Sequence, residues 1–322
     1  MDEMVIFASN KRTMKNLSFL EKERLCELAF EENAPYWHIA TPGQSTEILF
    51  TNEADYRFGM SLMSESAFLC NIRIFSFELM SNHLHNVATA RCKQNCIDFL
   101  DHFQRRLKRV AKLAGRDLDL SGFVCEPILI DSLPSLRNNM VYVDRNAYVV
   151  NADHTPYSYP WGSGHLYFGS NPTLLSLRPI NELTIREKRE LFKTRDPQYP
   201  DYFKVKDGYI APESFVDWRT GRTFFRDAHQ YFNMLIKNYE AYAEFAKILG
   251  DKTILTDEEM YSTISSLAYK NYHLSRLGDL NDRQRIELAK RMHFDLCANN
   301  SQIRRVLKLD PGLLQELFPV AK

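Results

Sequence analysis

Residues 95–115, "NCIDFLDHFQRRLKRVAKLAG", place apolar side chains at Ile97, Leu100, Phe103, Leu107, Val110 and Ala114. That spacing predicts an amphipathic helix closed by Gly115. Its other face holds Arg105, Arg106, Lys108, Arg109 and Lys112. The same periodicity predicts helices over 17–32, 54–70 and 134–148, the last with a buried stripe of Leu136, Met140, Val143 and Ala147. Short apolar or alternating runs predict strands at "YWHIATP" and "TEILFT", joined by a turn at Pro42 and Gly43, and again over 71–80, 84–90 and 122–130. This order suits an α+β domain, an antiparallel sheet backed by helices.

Past about residue 170 the pattern changes. "NPTLLSLRP" and "TRDPQYPDYFKVKDGYIAPESF" are rich in Pro, Asp and Tyr and predict an irregular connector. A helix is expected over 224–249, and from 256 onward every segment has helical spacing. The chain therefore divides into 1–170, a connector over 171–223, and an all-helical domain over 224–322.

Composition narrows the setting. With 322 residues, 44% hydrophobic and 25% charged, the chain has an ordinary globular make-up. Its six scattered cysteines suggest reduced thiols, no run reaches the length of a membrane helix, and the N-terminus lacks a signal peptide's apolar core. These features predict a cytoplasmic protein with no membrane partner. Net charge is zero, so any nucleic-acid contact must come from local patches.

The chemistry is concentrated in "IFSFELMSNHLHNVATA", residues 74–90. In an extended chain His83 and His85 project from one face and Leu84 from the other. On the 134–148 helix Tyr142 and Asn146 are four residues apart and share a face. Two imidazoles, an amide oxygen and a phenol could then meet over one sheet edge. A divalent cation, Mg2+ or Mn2+, suits such a mixed nitrogen and oxygen set. Tyrosine, with a pKa of about 10, is a weak nucleophile unless such a cation offsets charge at its target. Plainer roles stay open: histidines satisfying backbone groups at a strand end, a tyrosine capping the core, an asparagine capping a helix.

"FELMSNHLHNVATA" resembles the His-hydrophobic-His motif of the HUH single-strand endonucleases, in the form found in single-tyrosine transposases of the insertion-sequence 200/605 type. "YVDRNAYVV" followed by "YSYPWGSGHLYF" resembles the matching segment of the REP-associated tyrosine transposases, a branch of that group, and "YWHIATPG" resembles its opening strand. The match runs over about 35–168, with Ser81 and Ala147 where the branch commonly has proline. The resemblance implies a ferredoxin-like HUH fold, metal ligands His83, His85 and Asn146, and Tyr142 as nucleophile. It implies DNA transposition chemistry on single-stranded DNA with a hairpin near the cleavage point, by a monomer or a homodimer. A non-catalytic DNA-binding regulator on the same scaffold is the alternative.

The basic stripe from Arg105 to Lys112 is then either a solvated face or a phosphate track. Residues 281–308 carry seven Lys or Arg against three Asp or Glu, in two helices joined by "CANN". In "SQIRRVLKL", Ile303, Val306 and Leu307 are expected inward, and Gln302, Arg304, Arg305 and Lys308 outward. That is the layout of a helix-turn-helix recognition helix, or of a plain bundle with a basic rim.

Overall fold

In a computed structural model, the described residues are 17–42, 48–150, 158–168, 177–236, 257–274, 276–294, 296, 298 and 300–319. Helix α1, Phe19–Asn33, starts in a capping box between Ser18 and Glu21. Strand β1, Tyr36–Ala40, follows, then α2, Glu53–Leu69, β2, Arg73–Leu79, and β3, Leu84–Thr89. Next come α3, Lys93–Leu113, β4, Ile128–Ile130, and α4, Leu133–Val150. The four strands form one sheet in the order β2-β3-β1-β4, antiparallel throughout.

Residues 48–51, "ILFT", are irregular rather than a strand, and the turn expected at Pro42 and Gly43 runs into residues outside the described set. The amides of Leu49 and Phe50 instead donate to the Ser81 carbonyl, at 2.8 and 3.0 Å. β1 pairs with β3 and β4, which between them leave it no free edge for a local partner. Of the strand expected over 122–130 only 128–130 pairs.

Alternation splits the sheet into two faces. Ile39, Phe77, Leu79, Leu84 and Ala88 pack with α2 and α3 in one core. Tyr36, Phe75 and Val87 pack with α4 in another. On α3 the buried seam is Cys96, Phe99, Leu100, Phe103, Leu107 and Ala111. It is turned from the expected stripe because α3 packs on α2 as well as on the sheet. Ile97 and Val110 become its half-buried borders, and Ala114 is an exposed cap.

The stretch read as an irregular connector is built. It carries β5, Arg178–Pro179, α5, Ile185–Phe192, β6, Lys204–Lys206, and β7, Tyr209–Ile210, which give a three-stranded sheet. Short helices α6, Pro212–Phe215, and α7, Trp218–Thr223, follow. Ile180, Leu191, Phe192, Phe203 and Ile210 form its own small core. Proline and tyrosine were poor guides here because this layer is stabilised by packing against α2 rather than by its own periodicity.

The boundary at 224 also moves. Helix α8, Ala228–Ile236, packs on α4, and Phe224, Phe225, Tyr231 and Leu235 belong to the same core as Tyr36 and Val87. The rest of the helix expected to 249 lies outside the described residues. The separate helical unit begins with α9, Asp257–Tyr272, and continues through α10, Asp282–Phe294, α11, Asn300–Leu307, and α12, Pro311–Leu317. Among the described residues no helix is long and apolar enough to cross a membrane.

One buried charge joins these layers. The Asp144 carboxylate, on α4, accepts hydrogen bonds from Ser76 Oγ at 2.8 Å, Ser163 Oγ at 2.9 Å and Tyr231 Oη at 2.8 Å. Burial pushes its pKa up to about 6, against the lowering effect of the three hydroxyls. The neutral acid is thus the form favoured by folding, so its contribution is fully present below the unfolded value of about 4 and lost as pH rises through 6. Relative to an Asp144→Asn variant, the wild-type unfolding free energy should fall by up to about 3 kcal/mol between pH 4 and 7, measured by denaturant titration.

Candidate active site

His83 ends the turn between β2 and β3, and His85 lies within β3. Both are fully buried, and their rings stand edge to face with centroids 4.9 Å apart. His85 faces Tyr142 of α4 at 5.6 Å, also edge to face. Asn146, one turn further along α4, is fully buried. The sheet therefore brings the two histidines and Tyr142 together as the sequence pattern required, on the face that α4 covers.

The Nδ1 of His83 lies 2.7 Å from Asn82 Oδ1. An amide oxygen only accepts, so Nδ1 carries the proton and the lone pair is left on Nε2. This is the arrangement that orients a metal-ligating imidazole. Burial, and the neighbouring His38, hold the His85 pKa well below the usual imidazole range, so it is neutral. A neutral imidazole is the form that binds a cation. Among the described residues no group of three or more His, Cys, Asp or Glu is placed to hold a metal. The donors named from the sequence, His83, His85 and Asn146, are all buried, with the two imidazole rings adjacent.

Two neighbours were not legible in the sequence. His38 of β1 is buried with its ring 5.8 Å from His85 and 6.1 Å from Tyr142. It reaches the site because β1 pairs with β3 in a register that sets Ala40 opposite His85. Glu78 of β2 is the direct cross-strand partner of His85, so the two side chains share a face. Its carboxylate explains the glycine of "PWGS": a Cβ on Gly162 would stand 3.2 Å from Glu78 Oε1. Strand alternation alone would have placed both on this face, but not beside the histidines.

The expected DNA-contacting residues fare unevenly. Helix α3 packs on the sheet face away from the histidines, so Arg105, Arg106, Lys108, Arg109 and Lys112 lie across the sheet from the site. Arg106 is not a solvated cation: it pairs with buried Glu65 at 3.1 Å and donates to the Phe192 carbonyl. The other four are exposed or nearly so. Arg304 and Arg305 of α11, and Lys308 just past it, are exposed and line a groove with Leu309, Asp310 and Pro311. Gln302, expected outward, is buried instead, because the α11 seam widens where it packs between α9, α10 and α12. Tyr148 and Ala147 lie in α4, and their side chains are outside the described set.

The helical unit sits on the rim of the site. Met80, beside the His-Leu-His turn, and Tyr159 belong to the core of α9–α12, and Tyr159 Oη donates to the Leu79 carbonyl at 2.6 Å. Helix α9 also touches α4. His38, Glu78, Asn82, His83, His85, Tyr142, Arg145 and Asn146 are all buried, none more than 6% exposed. The site is closed in this conformation.

The chain matches no known protein family, no characterised protein and no solved structure.

The burial makes one measurable statement. His83 and His85 should resist carbethoxylation under conditions that modify the exposed His229 and His273, read by peptide mass spectrometry. Equal modification of all four would contradict the closed site.

Proposed function

We propose that the chain is a single-tyrosine, metal-dependent DNA nickase and strand transferase of the HUH type. The observation that carries this reading is the buried cluster in which neutral His85 stands between the His83 ring, at 4.9 Å, and the Tyr142 ring, at 5.6 Å, with His83 Nδ1 held by Asn82. His83, His85 and the Asn146 amide oxygen would hold Mg2+ or Mn2+, which when bound draws charge from a phosphodiester. Tyr142 Oη forms a bond to phosphorus as the bond to one sugar oxygen breaks. The phenol loses a proton and the departing sugar oxygen gains one. The phosphotyrosine conserves the bond, so a second sugar hydroxyl rejoins the strand without a nucleotide cofactor. Arg304, Arg305 and Lys308, exposed on the helical unit, would supply backbone contacts to a single strand, and that unit would act as a DNA-binding domain.

A second reading is favoured by the closed site: a DNA-binding regulator that retains the scaffold without cleaving. Single strands tiled across the DNA flanking the gene, mixed with Mn2+ or Mg2+ and run on a denaturing gel, separate the two. A covalent adduct is expected, lost in Tyr142→Phe and in His83→Ala/His85→Ala and abolished by chelator. Tight binding with no adduct would support the regulator. Asn82→Ala, which releases the His83 tautomer, should weaken Mn2+ affinity by about 10–100-fold in calorimetry. Arg304→Ala/Arg305→Ala should reduce the slope of log affinity against log salt by about 1.4 for a single strand, near 0.7 per lost phosphate contact.

A further inference from the structure

Asp144 stands two residues from Tyr142 and two from Asn146 on α4. On a helix of about 3.6 residues per turn, two positions amount to roughly 200° of rotation, so Asp144 lies on the other flank of α4 from both, and there it faces the β2 side of the same sheet. There it meets donors from three separate segments. Ser76 is in β2, Ser163 in the turn after "PWG", and Tyr231 in α8. Ser163 Oγ also accepts the Phe77 amide at 2.9 Å, and its own amide donates to the Phe77 carbonyl at 3.0 Å. That tie fixes the serine to the sheet before it reaches the carboxylate. A carboxylate only accepts, so it can take hydroxyl donors from three directions at once, which a neutral amide of the same shape cannot do as well.

Three attachments on the flank of a helix opposite its functional side chains control its roll about its own axis. Side chains extend about 5–6 Å from that axis, so a roll of about 10° displaces a tip by about 1 Å. A displacement of about 1 Å can cost about 10²-fold in rate. A loose α4 would keep its fold and lose its aim.

We propose that Asp144 is the positioning residue of the nucleophile, a clamp through which Ser76, Ser163 and Tyr231 set the angle at which Tyr142 and Asn146 meet His83 and His85. This rests on the nicking function proposed above. It assigns the segment after the tyrosine helix a purpose, since its serine ties the helix to β2 on the flank opposite Tyr142. It also makes α8 part of the catalytic domain, although α8 lies beyond the segment that carries the motifs.

The test is the single-turnover rate of adduct formation at saturating oligonucleotide with Mn2+, alongside oligonucleotide affinity and the melting temperature. Asp144→Asn should lower the saturated rate by about 10²-fold with affinity unchanged. Tyr231→Phe deletes one oxygen and leaves the ring packed on Tyr167 and Phe225, so it carries the test if Asp144→Asn fails to fold. It should lower the same rate by about 3–10-fold, through a smaller displacement of the same helix. Folded variants that form adduct at the wild-type rate would overturn the clamp and leave the nickase standing. A wild-type chain that forms no adduct on any strand would overturn the function and the clamp together.

Discussion

Burying Asp144 is the constraint around which the other layers are arranged. An ionised carboxylate without partners costs several kcal/mol in a protein interior, so the chain must bring donors to it. It does so from β2, from the turn at Ser163 and from α8, three segments separated by 19 to 87 residues from Asp144. Meeting that demand fixes where α4 lies on the sheet. It also pulls residues 224–236 away from the helical C-terminal unit and into the first domain.

The sheet sets the other half of the geometry. β3 is an interior strand, paired on both sides, and its register with β1 and β2 puts His38 and Glu78 around His85. Every one of these groups is polar, and all lie on the face that α4 closes. Tyr36, Phe75 and Val87 continue that face as an ordinary apolar core. The polar end of the face is thus confined to the end of the sheet nearest the turn at 81–83.

That turn is also where the helical unit docks. Met80 enters its core, and Tyr159 holds the Leu79 carbonyl. The polar end of the sheet face is thus closed by α4 and bordered by the helical unit. Arg304, Arg305 and Lys308 lie on that same unit. The stripe on α3, shielded from the site by the whole sheet, has no part in this arrangement.

Residue spacing alone was enough for α2, α3, α4, for β1–β3 and for the final helices, because each has a strong period and its own stop signals. It was enough too for His83, His85 and Tyr142, since alternation and helical repeat constrain which side chains share a face. Spacing could not show that "ILFT", 48–51, is irregular, that 177–223 folds into a small sheet, or that Gln302 is buried. Nor could it show that the basic face of α3 lies across the sheet from the histidines. Those outcomes depend on contacts between segments far apart in the chain: strand register, the side of the sheet on which a helix lands, and the partners a buried charge demands. A period tells a residue which way to point relative to its own element, and only the packed layers say what it points at.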